Sequence, residues 1–132
     1  MKVRYINQQD QFDPMNRMVI VGSDELTELL NGRRESAPFI AELTSDNGYQ
    51  LTVGIGGGLS FAQYMRLDGE LPYLVALPSR LQTKAKYVEF LINNTPTPIP
   101  GRYALSFDEM LQIAIHFLET GARSDAFSWT SI

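Results

Sequence analysis

Between residues 38 and 77 apolar side chains fall on alternate positions, the spacing of strands with one buried face; on either side they recur at three and four. Tyr49, Leu51, Val53 and Ile55 alternate with Gln50, Thr52 and Gly54, which predicts a half-buried strand. Residues 39–44 predict the strand before it, with Ser45-Asp46-Asn47-Gly48 as the turn between them. Gly56-Gly57-Gly58 makes the next turn, residues 59–67 the third strand and residues 72–77 the fourth. Asp68-Gly69 reads as a two-residue hairpin turn in which both residues take positive φ. Strands joined by such short turns pair locally, as an antiparallel meander.

The helical period appears twice. Leu26, Leu29 and Leu30 stand at i, i+3 and i+4 with Glu25 and Glu28 opposite, predicting a short helix over about 24–31 that ends at a left-handed Gly32. The second helix carries stronger signals. Ser106-Phe107-Asp108-Glu109 is a capping box, flanked by Leu105 and Met110 as a hydrophobic staple. Phe107, Met110, Leu111, Ala114, Phe117 and Leu118 form its apolar stripe, Glu109, Gln112, His116 and Glu119 its polar one, and Gly121 ends it. Residues 3–6, 87–92 and 127–132 read as further short strands. Pro96, Pro98 and Pro100 make the segment between Asn93 and Gly101 an edge strand or a polyproline connector. The expected architecture is α+β: one domain over residues 1–132, with an antiparallel meander of about five strands and two helices on one face.

Composition bounds the function. With 132 residues and 44% hydrophobic positions the chain can bury a core of its own, and without cysteine it has neither disulfides nor thiolate–metal sites. The N-terminus has no apolar stretch of signal-peptide length, and no run approaches a bilayer span, so a cytoplasmic protein is expected. The net charge of −4 is unevenly spread. Residues 36–79 hold only Arg66 against Glu42, Asp46, Asp68 and Glu70, and residues 106–132 only Arg123 against Asp108, Glu109, Glu119 and Asp125. Such a chain does not suit direct nucleic-acid binding; it suits a basic partner.

Catalytic patterns are sparse. His116 is the single histidine, so no familiar zinc spacing can be built, and its place on a polar stripe predicts a solvated side chain. Gly54-Ile55-Gly56-Gly57-Gly58 lacks the third glycine and the following helix of a dinucleotide site, and no Gly-Lys-Ser/Thr is present for a P-loop. Glu42, Asp68, Glu70 and Glu89 lie on or beside strands, but no spacing selects an acid and a base from among them. Phe61, Tyr64, Tyr73, Tyr87, Phe90 and Trp129 are expected mainly in the core. Neither a metal nor a cofactor is expected.

One ordered series goes further. Residues 46–57 (Asp-Asn-Gly-Tyr-Gln-Leu-Thr-Val-Gly-Ile-Gly-Gly), Asp68-Gly69-Glu70-Leu71-Pro72-Tyr73, and Phe117-Leu118-Glu119-Thr120-Gly121 with Ser128-Trp129 resemble the first-numbered class of immunity proteins of bacterial polymorphic toxin systems. The similarity runs over residues 38–132. It implies a non-catalytic α+β protein that neutralises a cognate secreted toxin by occluding its active site, the toxin often being a nucleic-acid deaminase. Gly56, Gly57, Tyr73 and Trp129 then act as scaffold, together with Ser106 and Glu109 of the capping box. A basic toxin would be met by acidic turn residues, for which Asp46, Asp68, Glu70 and Asp125 are the candidates. Two other readings stay open: an adaptor or chaperone using the proline-rich edge, and a small carboxylate-dependent enzyme.

Overall fold

The computed structural model describes residues 1–132, and all of its strands join one nine-stranded sheet. The strands are β1 (Val3–Asn7), β2 (Val19–Ile20), β3 (Phe39–Ser45), β4 (Tyr49–Ile55), β5 (Phe61–Arg66), β6 (Leu74–Leu77), β7 (Tyr87–Ile92), β8 (Thr95–Pro100) and β9 (Ser128–Ser131). The helices are α1 (Ser23–Asn31) and α2 (Phe107–Thr120), with a 3-10 turn at Gly101–Tyr103. Neighbours run in the order β2-β1-β3-β4-β5-β6-β9, while β7 pairs with β3 and β8. The meander is present as β3 to β6, but nine strands replace the expected five. Three of the additional pairings are long-range: β1 docks on β3, β9 on β6, and β7 lies parallel to β3 at Phe39 and Leu91.

Alternation decides the faces. Ala41, Leu43, Leu51, Val53 and Ala62 point toward the helices and join Leu26, Leu30, Met110, Ile113 and Phe117 in one core cluster of 21 buried residues. Their neighbours Glu42, Thr52 and Gln63 point to the opposite face. There the β7–β8 hairpin covers one end, packing Phe90 on Ile40 and Phe61, with the two rings edge-on at 5.1 Å. Gly54 makes that contact possible, because a Cβ there would lie 2.5 Å from Phe61 and 2.6 Å from Phe90. Beyond that contact, β8 and the 3-10 turn border Gln63 and Val75, and no helix lies over the rest of that face.

Local chemistry explains where turns depart from expectation. Asp68-Gly69 is not a two-residue hairpin: only Gly69 takes positive φ (78°), and pairing resumes at Tyr64 opposite Leu74. The intervening loop curls toward the helices, and Tyr73 donates to the Gly69 carbonyl at 2.5 Å. Gly32 is right-handed (φ −65°), not the left-handed cap expected, because the chain tightens into further turns that carry Arg33 to Asp13. The hairpin signal was Asn93-Asn94, both left-handed (φ 48° and 64°), which closes a two-residue turn between β7 and β8. In β8 the prolines stand opposite Leu91, Glu89 and Tyr87, so Thr95, Thr97 and Ile99 must supply the ladder donors. The outer edge of β8 therefore presents carbonyls without N–H groups and cannot template another strand.

Gly56 shows why the triple-glycine turn is what it is. Its φ of 108° is left-handed, and a Cβ would sit 2.5 Å from the Ser36 carbonyl. The chain from α1 into β3 thus crosses directly over the turn, with Pro38 against Gly57. Both capping-box bonds of α2 form, Glu109 N–H to Ser106 Oγ and Ser106 N–H to Glu109 Oε1, each 3.1 Å. Glu109 is not on a solvated stripe, however: it is 9% exposed, and its second oxygen accepts from the amide (3.0 Å) and hydroxyl (2.9 Å) of Ser79. Ile113 takes a buried place in the stripe, whereas Leu111 is only partly buried.

Candidate functional site

The β3–β4 turn, the β5–β6 loop and the C-terminus of α2 meet at one end of the sheet. Asn47 joins two of them, donating from Nδ2 to the Gly121 carbonyl at 3.0 Å. Gly121 is left-handed (φ 72°) and closes the helix there. Between these segments lies a cleft of about 470 Å³, lined by Tyr49, Tyr64, Arg66, Leu71, Pro72, His116, Arg123 and Asp125 among others. Tyr49 and Tyr64 stack at 4.9 Å, and Trp129 meets Tyr64 edge-on at 6.3 Å while donating to the Ser124 carbonyl at 3.0 Å. The stacked Tyr49 and Tyr64 rings line the cleft, and the Tyr64 hydroxyl donates to the Gly121 carbonyl at 3.4 Å.

All four acidic candidates are exposed, and they gather around this end. Asp46 sits in the β3–β4 turn, Asp68 and Glu70 in the β5–β6 loop, and Asp125 in the cleft wall. The surroundings are not uniformly acidic, which corrects the charge reading. Arg66 and Arg123, the single basic residue of each acidic segment, both line the cleft. Arg66 pairs with Asp68 at 2.6 Å, and the Glu70 amide donates to the same carboxylate at 2.9 Å. That amide, with Arg66, holds the Asp68 carboxyl below its ordinary pKa. Arg123 lies 5.8 Å from the Tyr64 ring centroid. His116 is not solvated as expected: it is half-buried in the cleft wall. Segment sums missed this because charges distant in sequence converge when α2 docks on β5.

The aromatics divide more finely than a core assignment allows. Phe61 and Phe90 are buried, Tyr64, Tyr73 and Trp129 are partly buried, and Tyr87 is 52% exposed on β7.

Two arrangements escaped sequence reasoning, although Glu42 itself stood among the carboxylates on or beside strands. In the first, Asp13 is bound by Arg33 from Nε at 2.8 Å and Nη2 at 2.5 Å, by the Tyr5 hydroxyl at 2.9 Å and by Asn7 at 3.1 Å. This pins the loop after β1 to the end of α1. In the second, Glu42 stands on the sheet face away from the helices, bonded by the Gln8 amide and without a cation. A lone charge between Ala41 and Leu43 in a strand was the available signal. No cluster of three or more histidine and carboxylate side chains is placed to hold a metal ion. No helix is long and apolar enough to cross a membrane.

No curated protein matches the chain. The model of the Imm1 immunity protein family matches residues 18–131, from β2 through β9. The match therefore includes α1 and β2, which lie before the segment where the sequence series was recognised. With nearly the whole sheet, both helices and the cleft inside it, the chain belongs to the Imm1 immunity protein family, whose function is to neutralise a cognate toxin.

Proposed function

We propose that this protein neutralises its toxin by occluding the toxin's active site as a non-catalytic binder, and that the toxin is a basic, nucleic-acid-acting enzyme such as a deaminase. The observation that carries the reading is the family match over residues 18–131. Charge supports the choice of partner. An enzyme acting on a polyanion carries basic groups at its cleft, and an inhibitor of net charge −4 is drawn toward them. Asp46, Glu70 and Asp125 are exposed and make no ion pair, so they are free to meet such groups; Asp68 must first release Arg66.

The test uses the toxic domain encoded beside this chain's gene. Co-expression of the chain should restore growth to cells making that domain, and the purified chain should abolish its activity on DNA or RNA. Occlusion predicts competition with substrate, seen as a rise in apparent KM at unchanged kcat. Unrescued growth would overturn the immunity reading, and inhibition that lowers kcat alone would overturn occlusion.

A further inference from the structure

On the sheet face away from the helices, register aligns Ile6, Glu42, Thr52 and Gln63 in one row across β1, β3, β4 and β5. The next row, toward the β3–β4 turn, is Arg4, Thr44, Gln50 and Met65. Apart from the exposed Arg4 these side chains are half-buried; Gln63 borders a cleft with Pro98, Ile99 and Tyr103, and no helix lies over the rest. The β7–β8 hairpin packs over Ile40 and Phe61 and reaches only the Gln63 end of the row. The surface is rich in amides and hydroxyls, and Glu42 is its carboxylate.

Glu42 is placed at a cost. Half removed from water, it has only neutral partners, the amides of Gln8 and Gln50. The two ion pairs of the molecule lie elsewhere, Arg33 with Asp13 and Arg66 with Asp68. Arg4, one diagonal step away on the same face, is exposed and pairs with nothing. Burial pushes the Glu42 carboxyl up, with Gln50 offsetting part of the shift. Glutamine would fill the same space without a desolvated charge, so the free protein gains no stability from the carboxylate. A cation delivered from outside changes that balance, because a desolvated charge pair with supporting hydrogen bonds is strong.

We propose that this open face is the central docking surface for the toxin, and that Glu42 receives an arginine or lysine side chain of the toxin between the amides of Gln8 and Gln50. The inference rests on the immunity reading above and adds the surface and the chemistry of contact. Asp46 borders this face through the β3–β4 turn and acts from its rim, steering approach. Glu42 sets how long the complex lasts.

The chain has no cysteine, so single cysteines report burial cleanly. Thr52→Cys and Gln63→Cys place a thiol on the face, and Gln112→Cys places a control on α2. Alkylation by N-ethylmaleimide is followed with and without saturating toxin domain from the adjacent gene. The expected result is slowed labelling at positions 52 and 63 and unchanged labelling at 112. Glu42→Gln should dissociate at least about tenfold faster with little change in association rate. A complex in which positions 52 and 63 label at the free rate, or Glu42→Gln binding like wild type, overturns the proposal and leaves the immunity reading intact. Failure of the wild-type chain to bind the toxin at all would defeat both.

Discussion

Asp13 and Glu42 are carboxylates handled in opposite ways. Burial would raise the Asp13 carboxyl, but Arg33, the Met15 amide, Asn7 and Tyr5 together hold it well below the ordinary carboxylate range. A depressed folded-state pKa contributes stability above the unfolded value of about 4, lost as pH falls toward the folded one. Asp13→Asn should therefore cost roughly 3 kcal/mol at pH 7, since it leaves Arg33 without its carboxylate. The gap to wild type should narrow below about pH 4, as urea titrations at both pH values would measure. Glu42 has the reverse sign. Its raised pKa means stability is fullest below the unfolded value of about 4.3 and declines as pH rises through the folded one. Glu42→Gln should raise the midpoint at pH 7, by less than about 1 kcal/mol because much of the group still meets water. A Glu42→Gln protein less stable than wild type at neutral pH would contradict this account.

Helix α2 packs on α1, β4 and β5, and its N-terminus is tied twice. Ser106→Ala removes one cap bond and should cost about 1 kcal/mol. Glu109 also accepts from Ser79, so Glu109→Ala frees the loop after β6 as well as the cap. It should cost more than Ser106→Ala, and the excess should vanish in a Ser79→Ala background apart from the backbone bond. Its carboxyl is held below the ordinary value by the Ser79 and Ser106 bonds, which outweigh burial, so this contribution also fades on acidification. The β7–β8 hairpin depends on a void. Gly54→Val should drive a side chain into Phe61 and Phe90 and cost about 2 kcal/mol or more, by overpacking. Chemical denaturation of these variants ranks the contributions.

For the whole molecule the relevant property is the distribution of charge at the end where Asp46, Asp68, Glu70 and Asp125 gather, the rim proposed to steer the toxin. Reversing Asp68 and Glu70 to lysine should slow association by about tenfold or more and reduce the salt dependence of the rate. Because Asp68 is already matched by Arg66, most of that effect should follow Glu70 alone. Equal association rates and equal salt slopes for wild type and Glu70→Lys, measured by stopped flow against the toxin, would exclude this rim. His116 adds a separate check. It lines the cleft beside Arg123, so His116→Ala should leave folding almost unchanged, and an altered affinity would place the cleft within the interface.

The meander and both helices were legible because their signals are local: alternation for β3 to β6, and a capping box followed by a 3.6-residue stripe for α2. The family resemblance was legible for the same reason, resting on turns such as 46–48 and 56–58 that need particular residues wherever they occur. Pairing between distant segments was not. Whether residues 3–7 join β3, and whether residues 128–131 join β6, depends on which edges remain free once the meander has formed. The proline-rich segment was legible as an edge, yet its partner and its donor-free side follow only from the register with β7. Charge was least legible of all. Arg66 and Arg123 are 57 residues apart and share one cleft, while Glu42, unremarkable in the chain, stands without a cation on an open face. Local sequence determines backbone conformation because those energies are short-range; which charges meet, and which face the helices leave open, is decided when the layers close over one core.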